Sequence, residues 1–395
     1  MAAFMVAGGA IGWGVWLGDV SPALLFVLLP LWGMTRDRRE AFSLWAGYYL
    51  FGTSVIPAAS GVFFGESVWW IVGVAMWVFC SLLLAGAWTL FTYSGQWRAL
   101  GLIPAWLAIS LPPLGIIGFL NPLAAAGWLM PRMGWEGVAL WFIAGMCAIT
   151  VFRWASSKAL RTCVAMLAVM VATTTQFDTP HLFDVYGWVA VSTELGKMPA
   201  NHNESITRHA ELIALVKTEL AKEETRVVIL PEQIAGVWTP EMAEPVWIAM
   251  LPLQRMKEKR QTVLVGAEIP RGQQMENALI AFTGDGVAFI HPAVQPVPVS
   301  MWKPFSNDGV IANWQQVNSG EIRDVRYTVS LCYEDLLVWP ILRAFALPEL
   351  QRPQVILSVA NLWWVKGSGE DRIQRRSIEA WAHLFGATIL RATNK

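Results

Sequence analysis

Charge is scarce in this chain. Only 15% of its 395 residues are Asp, Glu, Lys or Arg, against roughly 25% in an ordinary soluble domain. So few charges beside 55% hydrophobic residues exclude a disordered chain. An excess of positive charge is also lacking, with 29 basic and 29 acidic side chains. That balance excludes attachment to nucleic acid by bulk charge, and no direct nucleic-acid binding is expected. Four cysteines are too few for a disulfide scaffold. The five histidines (His181, His202, His209, His291, His383) show no metal-ligand spacing. No GxGxxG, Walker or HExxH pattern occurs, so neither a metal nor a cofactor is implied.

What is present is unevenly spread. Residues 1–176 hold eight basic and five acidic side chains, whereas 177–395 hold 21 and 24. The two halves therefore read as a membrane part and a water-soluble part. Asp19 is the only charge in residues 1–35 and Glu66 the only one in 41–97, while 99–131 and 162–177 have none. Runs this long and apolar predict membrane-spanning helices. Seven segments are expected, at 2–18, 20–34, 41–63, 67–92, 100–120, 137–152 and 160–176. The first lacks a basic residue ahead of its apolar run, so no cleavable signal peptide is expected.

The basic loops set an orientation. Arg36, Arg38 and Arg39 precede the third segment, Arg98 the fifth, and Arg153, Lys158 and Arg161 the seventh. With seven crossings and a cytoplasmic N-terminus, all three loops face the cytoplasm. The remainder then lies in the periplasm of a bacterial inner-membrane, multi-pass protein. Fourteen of the 23 Trp lie in the membrane half, among them Trp69, Trp70, Trp97 and Trp135 near segment ends, which suits an interfacial aromatic belt. Pro112 and Pro113 predict a kink in the fifth segment. Intramembrane acids are too few to mark a transport pathway.

After a linker at 177–203, residues 204–395 alternate helix and strand. A helix over 206–222 carries Ile206, Ile213, Val216 and Leu220 on one side, and a second helical region spans 241–259. Strands are expected at 226–230, 262–268, 277–282, 287–290, 327–331, 355–360 and 388–391, with a helix over 371–385. Thr283-Gly-Asp-Gly286 predicts a hairpin. The alternation argues an α/β layered domain.

Two strand ends carry chemistry. Cys332 ends the 327–331 strand ahead of Tyr333-Glu334-Asp335, and is either a nucleophile or a buried structural thiol. Glu232 follows Pro231 at another strand end, and is either the base for that thiol or a surface acid. Cys80, Cys147 and Cys163 lie in membrane segments, where a small apolar side chain suits packing.

Five short motifs occur in order. They are strand–Pro231-Glu232, the Asn277 hairpin, Leu331-Cys332-Tyr333-Glu334, Ser358-Val-Ala-Asn361-Leu-Trp363 and Leu390-Arg-Ala-Thr-Asn394. Together they resemble the nitrilase (carbon–nitrogen hydrolase) superfamily, most of all the apolipoprotein N-acyltransferases, which also place a multi-span membrane region before the nitrilase domain. Pro231–Trp238 and Pro296–Trp302 look more like a plasmid conjugal-transfer branch of that group.

The resemblance implies a nitrilase-like αββα sandwich and a Glu–Lys–Cys triad. Glu232 matches the base, Cys332 the nucleophile and Glu334 the acid two residues beyond it. His291 stands at the place of the Lys, and Lys303 is the next nearby cation, reaching the site only if the 292–305 loop folds back. Val299 replaces the acid that follows the Lys in the acyltransferases. Two functions remain open. One is acyl transfer through a Cys332 thioester, with a membrane phospholipid as donor and a lipoprotein or another conjugation protein as acceptor. The other is a non-catalytic component of the transfer machinery that keeps a relic site.

Overall fold

A computed structural model describes residues 1–64, 67–154, 185–199, 201–239, 241, 243–365 and 369–395. The expected seventh segment, 160–176, lies outside the described residues, as do residues 177–184 and 200 of the expected linker. By internal contacts the chain forms two units. One is Met1–Pro180 with Leu336–Trp339 and Gly367–Ala387; the other is His181–Asp335 with Pro340–Lys366 and Thr388–Lys395.

The first unit is helical. Its helices are α1 (Ala2–Trp16), α2 (Leu28–Met34), α3 (Arg38–Gly52), α4 (Ile56–Phe64), α5 (Ser67–Leu90), α6 (Leu102–Ser110), α7 (Ala125–Leu129) and α8 (Gly134–Trp154). Among the described residues, two stretches are long and apolar enough to cross a membrane as one helix, Trp70–Leu90 and Gly134–Arg153. The others are shorter or broken. The expected 41–63 segment divides after Gly52 into α3 and α4, and the expected 100–120 segment ends its helix at Ser110, ahead of the cis Pro112–Pro113 bond. The 15-residue α1 is about 22 Å long, short of a hydrocarbon core near 30 Å.

Small residues let α1 and α3 touch. A Cβ on Gly8 would fall 2.0 Å from the Leu44 carbonyl oxygen, and one on Gly12 2.3 Å from that of Tyr48. This is the close backbone approach that small-xxx-small spacing permits. The tryptophans divide in two. Trp70, Trp97 and Trp135 are exposed, as an aromatic belt requires. Trp16, Trp32, Trp45, Trp88 and Trp141 are instead fully buried. Trp45 stacks on Trp88 with centroids 3.9 Å apart, and Trp88 Nε1 donates to the Tyr49 hydroxyl at 3.0 Å.

Helix Glu370–Phe385, expected in the soluble half, belongs to this helical unit. Arg372 donates to the carbonyls of Leu17 (2.8 Å) and Gly18 (2.9 Å) beyond the end of α1, and pairs with Asp19 at 3.0 Å. A Cβ on Gly127 would meet the Ala380 oxygen at 2.2 Å, so α7 and this helix run in backbone contact.

The second unit is α/β. Its first sheet orders β1 (Trp188–Ala190), β2 (Val227–Ile229), β3 (Thr262–Arg271), β4 (Gln274–Thr283) and β5 (Gly286–Pro292). β1, β2 and β3 are parallel, and β3, β4 and β5 antiparallel. The second sheet orders β6 (Ser319–Ile322), β7 (Val325–Leu331), β8 (Val355–Asn361) and β9 (Thr388–Asn394), with β7, β8 and β9 parallel.

Alternation on the strands builds the layers. Val227, Ile229 and Leu264 share one buried cluster with Val329, Leu331 and Leu357, so the sheets pack face to face. Val228, Val263 and Phe282, on the opposite face of the first sheet, pack with Leu212, Val216 and Trp247 of helices His202–Ala221 and Ala243–Met250. Ile206, expected on the buried side of the first of these helices, is exposed, and Leu212 takes its place in the apolar stripe. The expected 241–259 helix breaks before Pro252 into Ala243–Met250 and Leu253–Lys259.

Candidate active site

The carboxyl ends of parallel strands are where α/β sheets place their ligands, because the loops there are free to carry polar groups. Three such ends meet in the second unit. Glu232 follows β2, Cys332 follows β7, and Asn361 ends β8.

Glu232 is held by donors. Asn277 Nδ2, on β4, donates to Oε1 at 2.6 Å, and the Asn361 backbone N–H donates to Oε2 at 3.2 Å. The Cys332 thiol also hydrogen-bonds this carboxylate. The loop can pass so near β3 because residue 266 is glycine. A Cβ there would lie 2.2 Å from the Pro231 oxygen and 2.5 Å from the Glu232 Cα. Glu232 is 3% exposed. Burial pushes its carboxyl up to about 7, against the pull of Asn277, Cys332 and the Asn361 N–H.

Cys332 sits in a left-handed backbone conformation, φ +48°, which costs a side-chain-bearing residue energy. It opens a tight turn, Cys332–Leu336. Burial, then the negative charge of Glu232, holds the thiol well above its ordinary range. The resting pair is therefore a neutral thiol donating to a carboxylate whose hold on a proton burial has strengthened.

The next two residues brace this turn. Glu334 Oε1 accepts from the N–H groups of Val294 (2.5 Å) and Gln295 (3.1 Å), and Oε2 from that of Leu331 (3.0 Å). Burial pushes this carboxyl up to about 8. Asp335 accepts from Ser330 Oγ at 2.6 Å and Ser358 Oγ at 2.7 Å, tying β7 to β8 below the nucleophile.

The two expected cations are elsewhere. His291 pairs across β4 with Leu279, and its Nε2 lies 2.9 Å from the Tyr327 hydroxyl. Tyr327 precedes Cys332 by five residues along β7, roughly 16 Å at the rise of a strand. Burial lowers His291 to about 4, so the ring is neutral. Lys303 pairs with Asp308 at 2.6 Å on the exposed surface. The residue facing Asn277 across the ladder is Ala293, whose N–H donates to the Asn277 backbone carbonyl at 2.7 Å. The structure thus brings Glu232, Cys332 and Glu334 together and leaves His291 and Lys303 outside. Asn277 and Asn361 complete the site. Their sequence signal is an asparagine at the edge of an apolar strand, where a polar group survives burial only with a partner. Among the described residues no three His, Cys, Asp or Glu side chains gather as a metal site would require.

The chain is 30% identical over 392 residues to a probable conjugal transfer protein TraB of Sinorhizobium fredii, covering 98% of this chain and 95% of that one. The chain belongs to the TraB family of conjugal transfer proteins. The TraB of Agrobacterium fabrum is 29% identical over 406 residues, covering 98% of this chain and 91% of its own length. No family model matches. Among solved structures, a CN-hydrolase superfamily protein from Xanthomonas campestris matches 52% of this chain and 74% of its own, at 16% identity and a TM-score of 0.37. A glutamine-dependent NAD(+) synthetase from Cytophaga hutchinsonii matches 52% and 35%, at 12% identity and a TM-score of 0.31.

Proposed function

We propose that this TraB-family chain is a multi-pass inner-membrane component of plasmid conjugal transfer whose periplasmic α/β unit transfers an acyl group through Cys332. The observation that carries the reading is the Cys332 thiol hydrogen-bonded to the buried Glu232 carboxylate at the edge where parallel strands end. The left-handed backbone at Cys332 is a conformation that costs a residue with a side chain energy. The basic loops and the two long apolar helices support the membrane reading.

In the first step the Cys332 sulfur attacks the ester carbonyl of a membrane phospholipid, and Glu232 takes the thiol proton. The carbon–sulfur bond forms, the ester carbon–oxygen bond breaks, and Glu232 returns its proton to the leaving alkoxide. An amine of a lipoprotein or another conjugation protein then attacks the thioester. Glu232 takes its proton and returns it to the departing sulfur. No side-chain cation at His291 or Lys303 supports the oxyanion here. Losing one such donor typically slows the chemistry on the order of a hundredfold or more. Turnover is therefore expected to be slow in both half-reactions.

Membranes from cells expressing the full chain, labelled with an alkyne-tagged phospholipid, test it. A hydroxylamine-sensitive label on wild type that Cys332→Ala lacks is expected, and equal labelling of the two overturns the proposal. The engagement of His291 by Tyr327 and of Lys303 by Asp308 favours a second reading, a non-catalytic binding module. Under that reading Cys332→Ala and Glu232→Gln cells transfer plasmid at the wild-type frequency with protein levels unchanged.

A further inference from the structure

Acceptors gather around Glu232 without a cation to answer them. Glu268, on β3, faces Asn277, on β4, across the ladder. Side chains on one side of a strand recur every second residue, so both share the face of Leu264 and Leu279, which is turned toward the second sheet. Asn277 reaches Glu232 from that face, and the negative charge of Glu268 helps to raise the Glu232 carboxyl. Gln233, in a left-handed backbone conformation at φ +50°, donates from Nε2 to Glu268 Oε1 at 2.7 Å. Glu268 Oε2 takes no hydrogen bond among the described residues.

Asn277 also leaves one polar atom over. Its Nδ2 faces Glu232 Oε1, because the reverse orientation would set oxygen against oxygen. Asn277 Oδ1 is then buried with no hydrogen-bond partner, in a residue only 1% exposed. Such an orphan is costly until a donor arrives. Among the described residues no Lys, Arg or His lies within ion-pair distance of Glu232 or Glu268. A group that satisfies Glu268 Oε2 and Asn277 Oδ1 together needs at least two donors on one centre, and a positive charge suits the carboxylates. A primary ammonium brings three donors and that charge, whereas a hydroxyl brings one donor and none. Glu268 is half-buried, so it is the member of the group that solvent still reaches.

We propose that Glu268 and Asn277 bind the acceptor amine, which enters as a primary ammonium with its N–H groups on Glu268 Oε2 and Asn277 Oδ1. The fate of the bound ammonium rests on the acyl-transfer reading above; its binding does not. One ammonium proton passes to Glu268, whose burial favours the protonated form. The neutral amine then attacks the thioester carbon, its next proton goes to Glu232 as above, and Glu268 releases its own to water once the amide has left. Glu268 thereby selects amines over alcohols as acceptors.

Ligand-observed NMR of the detergent-solubilised full chain at pH 7 tests the site. It measures Kd for alaninamide, largely protonated at that pH, and for lactamide, which puts a hydroxyl in place of the ammonium. Wild type is expected to bind alaninamide about tenfold or more tightly than lactamide, as hydrogen bonds to charged groups allow. Glu268→Gln, nearly isosteric, should remove the preference, and Glu268→Asp, which keeps the charge, should retain it. Asp285→Asn, at the exposed hairpin, should not alter it. Equal affinity of wild type for the two ligands, or an undiminished preference in Glu268→Gln, overturns the proposal. Binding is read without turnover. A preference that Glu268→Gln abolishes therefore upholds the ammonium site even where Cys332 takes no acyl label, the result that defeats acyl transfer by itself.

Discussion

Replacing Glu232 by Gln should make Cys332 easier to ionise and at the same time stop acyl transfer. The carboxylate raises the thiol in two ways that the amide cannot, by its charge and by accepting the S–H hydrogen bond. Two charges about 4 Å apart at an effective dielectric near 20 interact by about 4 kcal/mol. That is about three pK units of thiol shift. Burial, the largest cause, is untouched by the change, so the thiol falls toward its ordinary range without passing below it. The assay is iodoacetamide alkylation of the detergent-solubilised full chain, followed at the Cys332 peptide by mass spectrometry from pH 7 to 10. At pH 9, where Glu232 is ionised, the variant should alkylate on the order of a hundredfold faster than wild type. The phospholipid-derived label should fall by about a hundredfold or more, because the proton acceptor is gone. The amide also turns its NH2 toward the Asn277 NH2 or the Asn361 N–H, a mismatch of about 1–3 kcal/mol, so cooperative thermal unfolding is checked first. A pH profile of alkylation that does not move, or label that persists, refutes the pairing of these two groups.

Glu334→Ala should lower stability by about 3 kcal/mol or more, read by denaturant unfolding, because it strands the Val294, Gln295 and Leu331 N–H groups in a buried site. His291 should control the acid limb of stability. Its folded value of about 4 lies below the ordinary 6.5, so its stabilisation is complete above pH 6.5 and is lost as pH falls toward 4. The loss should total about 3 kcal/mol and be absent from His291→Leu/Tyr327→Phe. Gly12→Val should prevent α1 from seating on α3, seen as lost monodispersity in detergent, since the new side chain meets the Tyr48 carbonyl.

Much of the α/β unit was legible because its strands are buried on both faces and read as apolar runs. Val227–Ile229, Thr262–Arg271 and Val355–Asn361 all fall on such runs. The elements that escaped are too short to show a period. Trp188–Ala190 lies in the stretch expected as linker, and Ser319–Ile322 mixes polar and apolar residues evenly. Glu232 and Cys332 stood out as polar residues closing apolar strands, and the structure joins them. His291 shows the limit of spacing. Its distance along the chain sets it at the place of the missing cation, but the two-residue period of β5 turns it between the sheets toward Tyr327, a partner no local pattern reveals. In the helical unit, hydropathy locates apolar stretches without showing where a helix stops. The breaks after Gly52 and Ser110 follow Thr-Ser and Pro-Pro sequences that a long averaging window hides.

Helix Glu370–Phe385 constrains how this protein can be divided. It lies in the chain between β8 and β9, neighbours in one sheet, yet its partners are in the helical unit. Ala380 lies against Gly127, the His383 oxygen accepts from Arg132 N, and Arg372 takes the carbonyls beyond α1. A soluble fragment beginning at residue 177 would retain every catalytic candidate and both sheets, but would expose a helix made to be covered by residues it no longer carries. Such a fragment is expected to aggregate unless those helices are supplied in trans. The same thread means the two halves cannot be exchanged between proteins as independent cassettes, so the helical part and the thiol site would be inherited together.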